Sequence, residues 1–163
     1  MFVNKPIPKA VFFVDNFTHI SMQWEGFQYY RTRLSTLPTI LPSRPLTWFS
    51  RKHSPAKHLS YWYRPHTSKT RLPILFIHGI GIGLYPYVPF LTSLNRQPNS
   101  DNHDSDAQDY DDDDGEIGII AIEVLPISFR MTHKPLARTE MCRQIQRILL
   151  RHGFEKVVAV SHS

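Results

Sequence analysis

The most informative part of this sequence is the stretch Leu72-Pro73-Ile74-Leu75-Phe76-Ile77-His78-Gly79-Ile80-Gly81-Ile82-Gly83. Its first half is an apolar run of strand length, and its second half has a glycine at every second position. Together these two halves indicate a buried strand that opens into a glycine-rich loop. After this loop, residues 85–94 are predicted to form a helix, because Pro86 and Pro89 are tolerated in a first helical turn.

A second junction between a strand and a loop occurs near residue 160. Val157-Val158-Ala159-Val160 is predicted to be a short buried strand, and Ser161-His162-Ser163 follows it directly. A nucleophilic serine in a sharp turn from strand to helix needs a small residue two positions before it, and Ser161 supplies that residue for Ser163. His162 is predicted to have a packing role.

The elements before this second junction favour a parallel sheet. Residues 117–124 are apolar on both faces, as a buried parallel strand should be. The following helix begins near Pro135, ends at Gly153 and carries one apolar stripe, which comprises Leu136, Met141, Ile145, Ile148 and Leu149. Strand, helix and strand in this order predict a right-handed crossover.

These two junctions, in this order, resemble the α/β-hydrolase fold family, in which a His-Gly loop follows the third strand and the nucleophile elbow follows the fifth. The resemblance covers residues 59–163, and the Ile-Gly repeat with the following Tyr-Pro-Tyr resembles AB hydrolase-1 proteins of fungal type. It implies an α/β fold with an incomplete, mostly parallel α/β-hydrolase sheet, of which the front half is present. An N-terminal helix and a proline-rich connector precede that sheet.

The resemblance also implies an activity, which is serine-dependent hydrolysis of an ester, thioester or related acyl bond in a small-molecule substrate. Ser163 takes the position of the nucleophile, with Ser161 and His162 in the elbow. No cofactor and no metal are implied. The acid and the histidine of the triad follow the nucleophile in this family, so residues 1–163 by themselves are expected to be inactive.

The oxyanion loop implied by the resemblance comprises His78, Gly79, Ile80 and Gly81. Negative charge develops on oxygen during attack at a carbonyl and needs preorganised N–H donors. One donor is the backbone N–H of Ile80 or Gly81, and the other belongs to the residue after the nucleophile. His78 shapes the loop in this family and is not the catalytic base.

A non-catalytic alternative is an interaction module, or the folding remnant of a truncated gene. In that case the strand at 157–160 would be a hydrophobic sheet edge that needs a partner strand. A third hypothesis, phosphate or dinucleotide binding at Gly79, Gly81 and Gly83, lacks the required glycine spacing. Its only acidic candidate at the end of the next strand is Glu123.

The chain is predicted to divide into residues 1–57, a basic helical and extended segment, and residues 58–163, a truncated α/β-hydrolase domain. A helix is predicted over 17–34, since Ile20, Trp24, Phe27 and Leu34 recur near the 3.6-residue period. Residues 37–51 contain three prolines and are predicted to be an extended connector. Residues 58–64 are predicted to be a strand that pairs with the strand at 72 in a hairpin-like arrangement.

Charge is strongly segregated along the 163 residues, whose formal net charge is +5. Residues 1–71 carry eleven Lys and Arg against two acids, residues 96–116 carry one base against nine acids, and residues 117–163 carry seven bases against three acids. The acidic insertion at about 95–116 is predicted to be disordered, because it cannot bury enough apolar surface to offset its ordering entropy. Its spacing does not match an EF-hand calcium loop.

In the basic N-terminal segment, cationic and aromatic residues alternate, which leaves three interpretations open: nucleic-acid binding, contact with an anionic membrane or lipid-like substrate, and a solvated face with aromatics packed inward. The last is preferred, and no nucleic-acid partner is predicted. Neither a transmembrane segment nor a signal peptide is recognised, while peripheral membrane contact stays open. The single cysteine, Cys142, excludes an internal disulfide, so a cytoplasmic location is the default.

Overall fold

The structure is a computed structural model that describes residues 9–33, 45–94, 115–128 and 134–162. Five strands form one sheet: β1 (Gln28–Tyr30), β2 (Ser60–Arg64), β3 (Ile74–Ile77), β4 (Ile119–Glu123) and β5 (Val158–Ser161). Four α-helices accompany it: α1 (Lys9–Trp24), α2 (Pro45–Trp48), α3 (Val88–Ser93) and α4 (Arg138–Arg151). Within the described ranges, one 3₁₀ turn, Tyr85–Tyr87, follows the glycine-rich loop and another, Leu125–Ile127, follows β4. The chain therefore forms a mixed α/β fold.

The strands lie in the order β1-β2-β4-β3-β5. Strand β2 is antiparallel to both of its neighbours, β1 and β4, whereas β3 is parallel to both β4 and β5. The sheet is thus mixed: among the described strands, β2 runs in one direction and the other four run in the opposite direction, as expected for a mostly parallel sheet. The predicted hairpin of the second and third strands is wrong, because β4 lies between them. All five residues of β4 are buried, and a strand that is apolar on both faces is most stable with a neighbour on each side.

Helices cover both faces of the sheet, so alternate side chains of each strand enter different clusters. On one face, Ile74 and Phe76 of β3 join a cluster with Met22 of α1 and Leu91 of α3. On the other face, Leu75 and Ile77 of β3 pack in a cluster with Ile148 of α4. Three more residues of α4 pack against this cluster: Met141, Ile145 and Leu149. The apolar stripe predicted for α4 is therefore confirmed as its packing face.

The first helix differs from its prediction in both position and facing. Helix α1 spans Lys9–Trp24 instead of residues 17–34, and Gly26 follows it with φ +79°, a left-handed conformation that ends the helix. Ile20 and Trp24, two of the residues from which the helix was predicted, are 47% and 88% exposed, while Met22 is fully buried. The helix therefore packs through a different face from the one that this period indicates.

Strand β1 was not expected from the sequence. Its Tyr29 and Tyr30 are buried and pair with Trp62 and Tyr61 of β2. The described part of the basic N-terminal segment therefore shares one sheet and one core with residues beyond 58. The helix predicted over 17–34 included these three residues, because the helical period of the sequence continues through them. Pairing with β2 overrides that local preference.

The C-terminus of α4 is stopped by a specific backbone motif. Gly153 has φ +72° and donates its N–H to Leu150 O at 3.1 Å, while Phe154 N–H donates to Leu149 O at 3.0 Å. These two bonds are the pair that defines a Schellman motif, so the predicted stop at Gly153 is confirmed.

The two irregular segments are only partly described. Residues 34–44 lie outside the described residues, and Pro45–Trp48 forms one helical turn where the connector was expected to lack regular structure. Of the acidic insertion predicted at 95–116, residues 95–114 lie outside the described residues. Within the four described ranges, no helix combines the length and the apolar character needed to cross a bilayer.

An aromatic cluster surrounds His152, the residue that caps the end of α4. Its ring stacks on Tyr63 with centroids 3.8 Å apart, and its Nε2 lies 2.9 Å from Tyr61 Oη. Tyr61 itself stacks on Tyr30 at 4.7 Å. Burial, reinforced by the positive charges of Arg151 and Lys52, lowers the pKa of His152 to about 4. Burial raises the pKa of Tyr61, so its phenol remains protonated and donates to the neutral imidazole.

Acidification is expected to destabilise the fold through His152. Between pH 6.5 and about 4 the unfolded chain binds a proton at this residue and the folded chain does not, so stability falls as pH is lowered through that window. Allowing for partial exposure of the ring, the loss is about 1 to 2 kcal/mol. Urea unfolding of the wild type and of His152→Gln at both ends of the window measures it. The Gln side chain keeps an acceptor for Tyr61 but does not titrate, so an equal pH dependence in both proteins would contradict this assignment.

Candidate functional site

Two loops meet at one edge of the sheet, beside the carboxyl ends of β3 and β5. These strands are parallel neighbours, and their last residues, Ile77 and Ser161, lie directly opposite each other. The pairing continues one step further, because His162 N–H donates to Ile77 O at 3.2 Å. Ligands of open α/β sheets bind in crevices at such carboxyl ends. The glycine-rich loop and the Ser-His-Ser segment, distant in sequence, are therefore adjacent in space.

The two loops touch at Gly79. A Cβ built on Gly79 would lie 2.7 Å from His162 O and 3.2 Å from His162 Nδ1, so no larger residue fits here without movement. The contact is with backbone, which cannot rotate away as a flexible side chain could. The glycine is required by this close approach, and its own backbone is not in the left-handed region.

His78 fixes the start of the glycine-rich loop to the end of β4. It is 1% exposed, and its Nε2 accepts the Val124 N–H at 3.0 Å. Because Nε2 is an acceptor, the proton of the neutral ring lies on Nδ1, which donates to Gly79 O at 2.8 Å. Ser128 Oγ, 3.5 Å from Nε2, donates to Val124 O at 2.9 Å. Both ring nitrogens are thus used in holding backbone, as the predicted loop-shaping role requires.

The two N–H groups considered as oxyanion donors have different surroundings. Gly81 N–H donates to Ile127 O at 3.1 Å, in the turn that follows β4. Ile80 N–H has no hydrogen-bond partner among the described residues, and the Ile80 side chain is 80% exposed. Of the two, only Ile80 has an N–H that can bind a ligand without breaking an existing bond.

His162 is exposed, and its ring lies against that of Tyr87 with centroids 5.6 Å apart. Its Nδ1 lies 2.9 Å from Tyr87 Oη, in the 3₁₀ turn after the glycine-rich loop, and Tyr87 in turn packs on Phe76 at 5.0 Å. Tyr87 is a site residue that sequence reasoning missed, since only its part in a Tyr-Pro-Tyr triplet was noticed. Ser161 ends β5 and is exposed. Ser163, the predicted nucleophile, lies outside the described residues.

Glu123, the acidic residue at the end of β4, lies inside the protein. Its side chain is 5% exposed, and Oε2 accepts hydrogen bonds from Tyr29 Oη at 3.0 Å and Ser60 Oγ at 2.8 Å. These bonds satisfy a buried carboxylate within the core. A ribose-binding acid would face the crevice, so this placement gives no support to dinucleotide binding.

Several aromatics of residues 1–71, the region rich in Lys and Arg, are packed inward, as the preferred interpretation expected. Tyr29, Tyr30, Tyr61 and Trp62 are each at most 9% exposed. Bases stack on exposed aromatic faces, so these four rings offer no stacking platform. Trp48 is 46% exposed and lies on the short helix α2.

The fold and the site together define an α/β protein in which a glycine-rich loop and a Ser-His-Ser segment meet at the carboxyl ends of parallel neighbours. No protein-family model matches the chain, and neither the curated proteins nor the solved structures contain a similar protein. Among the side chains in the described ranges, no group of three or more His, Cys, Asp and Glu could hold a metal ion.

Replacing Gly79 with alanine is expected to lower the free energy of unfolding by about 1 to 3 kcal/mol, the usual cost of overpacking. The new Cβ would press on His162 O, and relief requires the two loops to separate. Urea unfolding measures the change. Ile80→Ala is the matched control, because Ile80 is the next residue and is exposed, so its truncation should change stability by less than about 0.5 kcal/mol. Equal effects of the two substitutions would contradict the contact.

Proposed function

We propose that the chain supplies the nucleophile and the oxyanion loop of a serine hydrolase of the α/β-hydrolase kind, acting on an ester, thioester or related acyl bond. The observation that carries this proposal is the contact of Gly79 with the backbone of His162. In the α/β-hydrolase arrangement one oxyanion donor comes from the loop after the third strand and the other from the residue after the nucleophile. Such a site requires these two loops to touch.

The sheet order supports the same proposal. Strand β3 is followed by the glycine-rich loop, β5 is followed by the Ser-His-Ser segment, and the two strands are parallel neighbours. Had β5 paired elsewhere in the sheet, the loops would lie at least one strand further apart, and each strand step is about 4.8 Å. An oxyanion donor and a nucleophile must both lie within about 3 Å of one reacting carbonyl group, which that separation would prevent.

The proposed chemistry assigns a role to each residue of the site. Ser163 Oγ attacks the acyl carbon, and its proton passes to a histidine base, which gives it to the leaving alcohol or thiol as the ester or thioester bond breaks. Water, deprotonated by the same base, then hydrolyses the acyl-serine and releases the acid. The Ile80 N–H, which has no partner in the described structure, stabilises the oxyanion. Tyr87 holds the His162 ring, so that the backbone leading into Ser163 has one position. His78 holds the oxyanion loop through Gly79 O and the Val124 N–H.

The base and acid of the triad are proposed to come from residues that follow Ser163 in the intact protein. His78 is committed to backbone hydrogen bonds on both ring nitrogens, and the Glu123 carboxylate is bound by two hydroxyls in the core. Neither therefore suits a catalytic dyad with Ser163. The family order of nucleophile, acid and histidine is consistent with this division.

The test is the message sequence 3′ of the Ser163 codon, followed by labelling of the encoded protein with a fluorophosphonate probe. We expect the frame to place a small residue two positions after Ser163 and to encode an acid and a histidine further on. The encoded protein should be labelled, and Ser163→Ala should abolish labelling. Ser161→Ala is the matched control and should retain it. Undiminished labelling of Ser163→Ala, or a frame without an acid and a histidine, would overturn the proposal.

The non-catalytic alternative assigns the exposed strand β5 to pairing with a partner chain. Val158 is 47% exposed, and among the described residues β5 pairs only with β3. An edge of this kind needs a covering strand, whether from the same protein or from a partner.

Size-exclusion chromatography and thermal melting of residues 1–163 separate the two functions. We expect aggregation or a non-cooperative melt, because the Val-rich edge is a template for pairing between chains. Val158→Lys, which places a charge on that edge, should reduce the aggregated fraction, whereas Leu150→Lys on the exposed side of α4 should not. A soluble monomer with one cooperative transition would instead favour a small interaction module.

A further inference from the structure

A recess of about 560 Å³ lies beside β1 and is lined by basic and hydroxyl side chains. Its polar lining comprises Arg31, Thr32, Arg33, His53, Ser54 and Lys57. No carboxylate contributes to the described lining. The sequence explains this, because it contains no Asp or Glu between Glu25 and Asp101.

The recess is held together by backbone hydrogen bonds between two segments. Arg31 N–H donates to Lys52 O at 3.0 Å, and Ser54 N–H donates to Arg31 O at 2.8 Å, which forms an isolated parallel bridge of Arg31 with His53. A further bond from Ser54 Oγ to Leu59 O, 2.7 Å long, fixes the second segment to the start of β2. The cationic side chains therefore project from an ordered frame.

Arg31 is held to the frame of the recess by one side-chain hydrogen bond in the described structure, from its Nη1 to Trp48 O at 3.2 Å. Its guanidinium group lines the recess with a positive charge. Guanidinium groups bind the oxygens of phosphate in a planar, two-pronged geometry.

The recess lies on the same sheet edge as the candidate active site but is separate from it. Tyr30, Tyr61, Ile122, Ile77 and Ser161 lie level across the five strands, so the residue after Tyr30 leaves the sheet where the active-site loops do. Strand β1 lies three strand steps from β3, which is about 14 Å. The recess and the candidate active site therefore share no residues.

We propose that this recess binds a phosphate monoester. Such a group carries a charge of about −1.5 to −2 at pH 7 and three acceptor oxygens, which suits several cations better than a single carboxylate does. A volume of about 560 Å³ is within the range of small-molecule sites, so the phosphate carries an organic group. That group belongs either to a soluble metabolite or to a lipid headgroup at a membrane surface.

Isothermal titration calorimetry of the full chain with inorganic phosphate, glycerol 3-phosphate and acetate tests the chemistry. We expect saturable binding of both phosphates, tighter for the ester, and none of acetate. Lys57→Gln and Arg31→Gln should each weaken glycerol 3-phosphate binding about tenfold, the effect of one charge-assisted hydrogen bond. Lys57 is exposed, so its variant remains informative if Arg31→Gln fails to fold. Lys156→Gln removes one exposed charge elsewhere and should leave the affinity unchanged.

Two arms identify the source of the phosphate. The first uses co-sedimentation with phosphatidylcholine vesicles that contain either phosphatidic acid, a monoester, or phosphatidylglycerol, a diester. Binding to the phosphatidic acid vesicles alone assigns the site to a lipid headgroup. Binding of glycerol 3-phosphate without vesicle binding assigns it to a soluble metabolite. The proposal is overturned if phosphate does not bind, if acetate binds as well, or if the Lys57 variant and the Lys156 control behave alike. Binding of single-stranded RNA without phosphate binding would overturn it in favour of nucleic acid.

Discussion

The parallel pairing of β3 with both β4 and β5 is the constraint on which the rest of this structure depends. It brings the ends of three strands to one edge, although more than 80 residues separate Ile77 from Ser161 in the sequence. Parallel neighbours require crossover connections, and helices α3 and α4 supply them on opposite faces. The two apolar clusters form because β3 and β4 have apolar residues on both sides. The core and the position of the site therefore have the same origin.

The hydrogen bonds of His78 extend this constraint from the sheet to the loop. A glycine-rich loop loses more conformational entropy on ordering than one with larger side chains, so it needs specific restraints. His78 provides them at both ring nitrogens, while Gly81 N–H is bonded to Ile127 O. Those restraints leave the N–H of Ile80, between them, without a partner in the described structure. A preorganised donor is useful to a catalyst because it need not reorient during the reaction.

The elements that could be predicted from sequence are those in which the spacing of apolar residues shows which faces are buried. Strand β4 and helix α4 follow directly from an apolar run and an apolar stripe, and the stop at Gly153 follows from the need for a left-handed residue. Strand β1 could not be predicted, since three residues after a helix carry no period of their own. The position of β4 between β2 and β3 was also not predictable, because strand order depends on long-range packing. Likewise, the sequence does not show that the Gly81 N–H is hydrogen-bonded while the Ile80 N–H has no partner in the described structure.

Charge segregation leaves two arginines, one in the core and one at the surface, to be held by neutral groups. With no acid between residues 26 and 100, the buried Arg64 is held by Leu91 O at 3.2 Å and by the face of Phe27, 4.7 Å from its guanidinium carbon. Burial lowers the pKa of Arg64, while Glu116 and Glu25 act in the opposite direction. Its Nε is nevertheless buried without a hydrogen-bond partner in the described structure, so a carbonyl and a ring satisfy this cation only in part. Arg31 at the surface recess is similar, because a carbonyl accepts from its Nη1 while its buried Nε has no hydrogen-bond partner in the described structure.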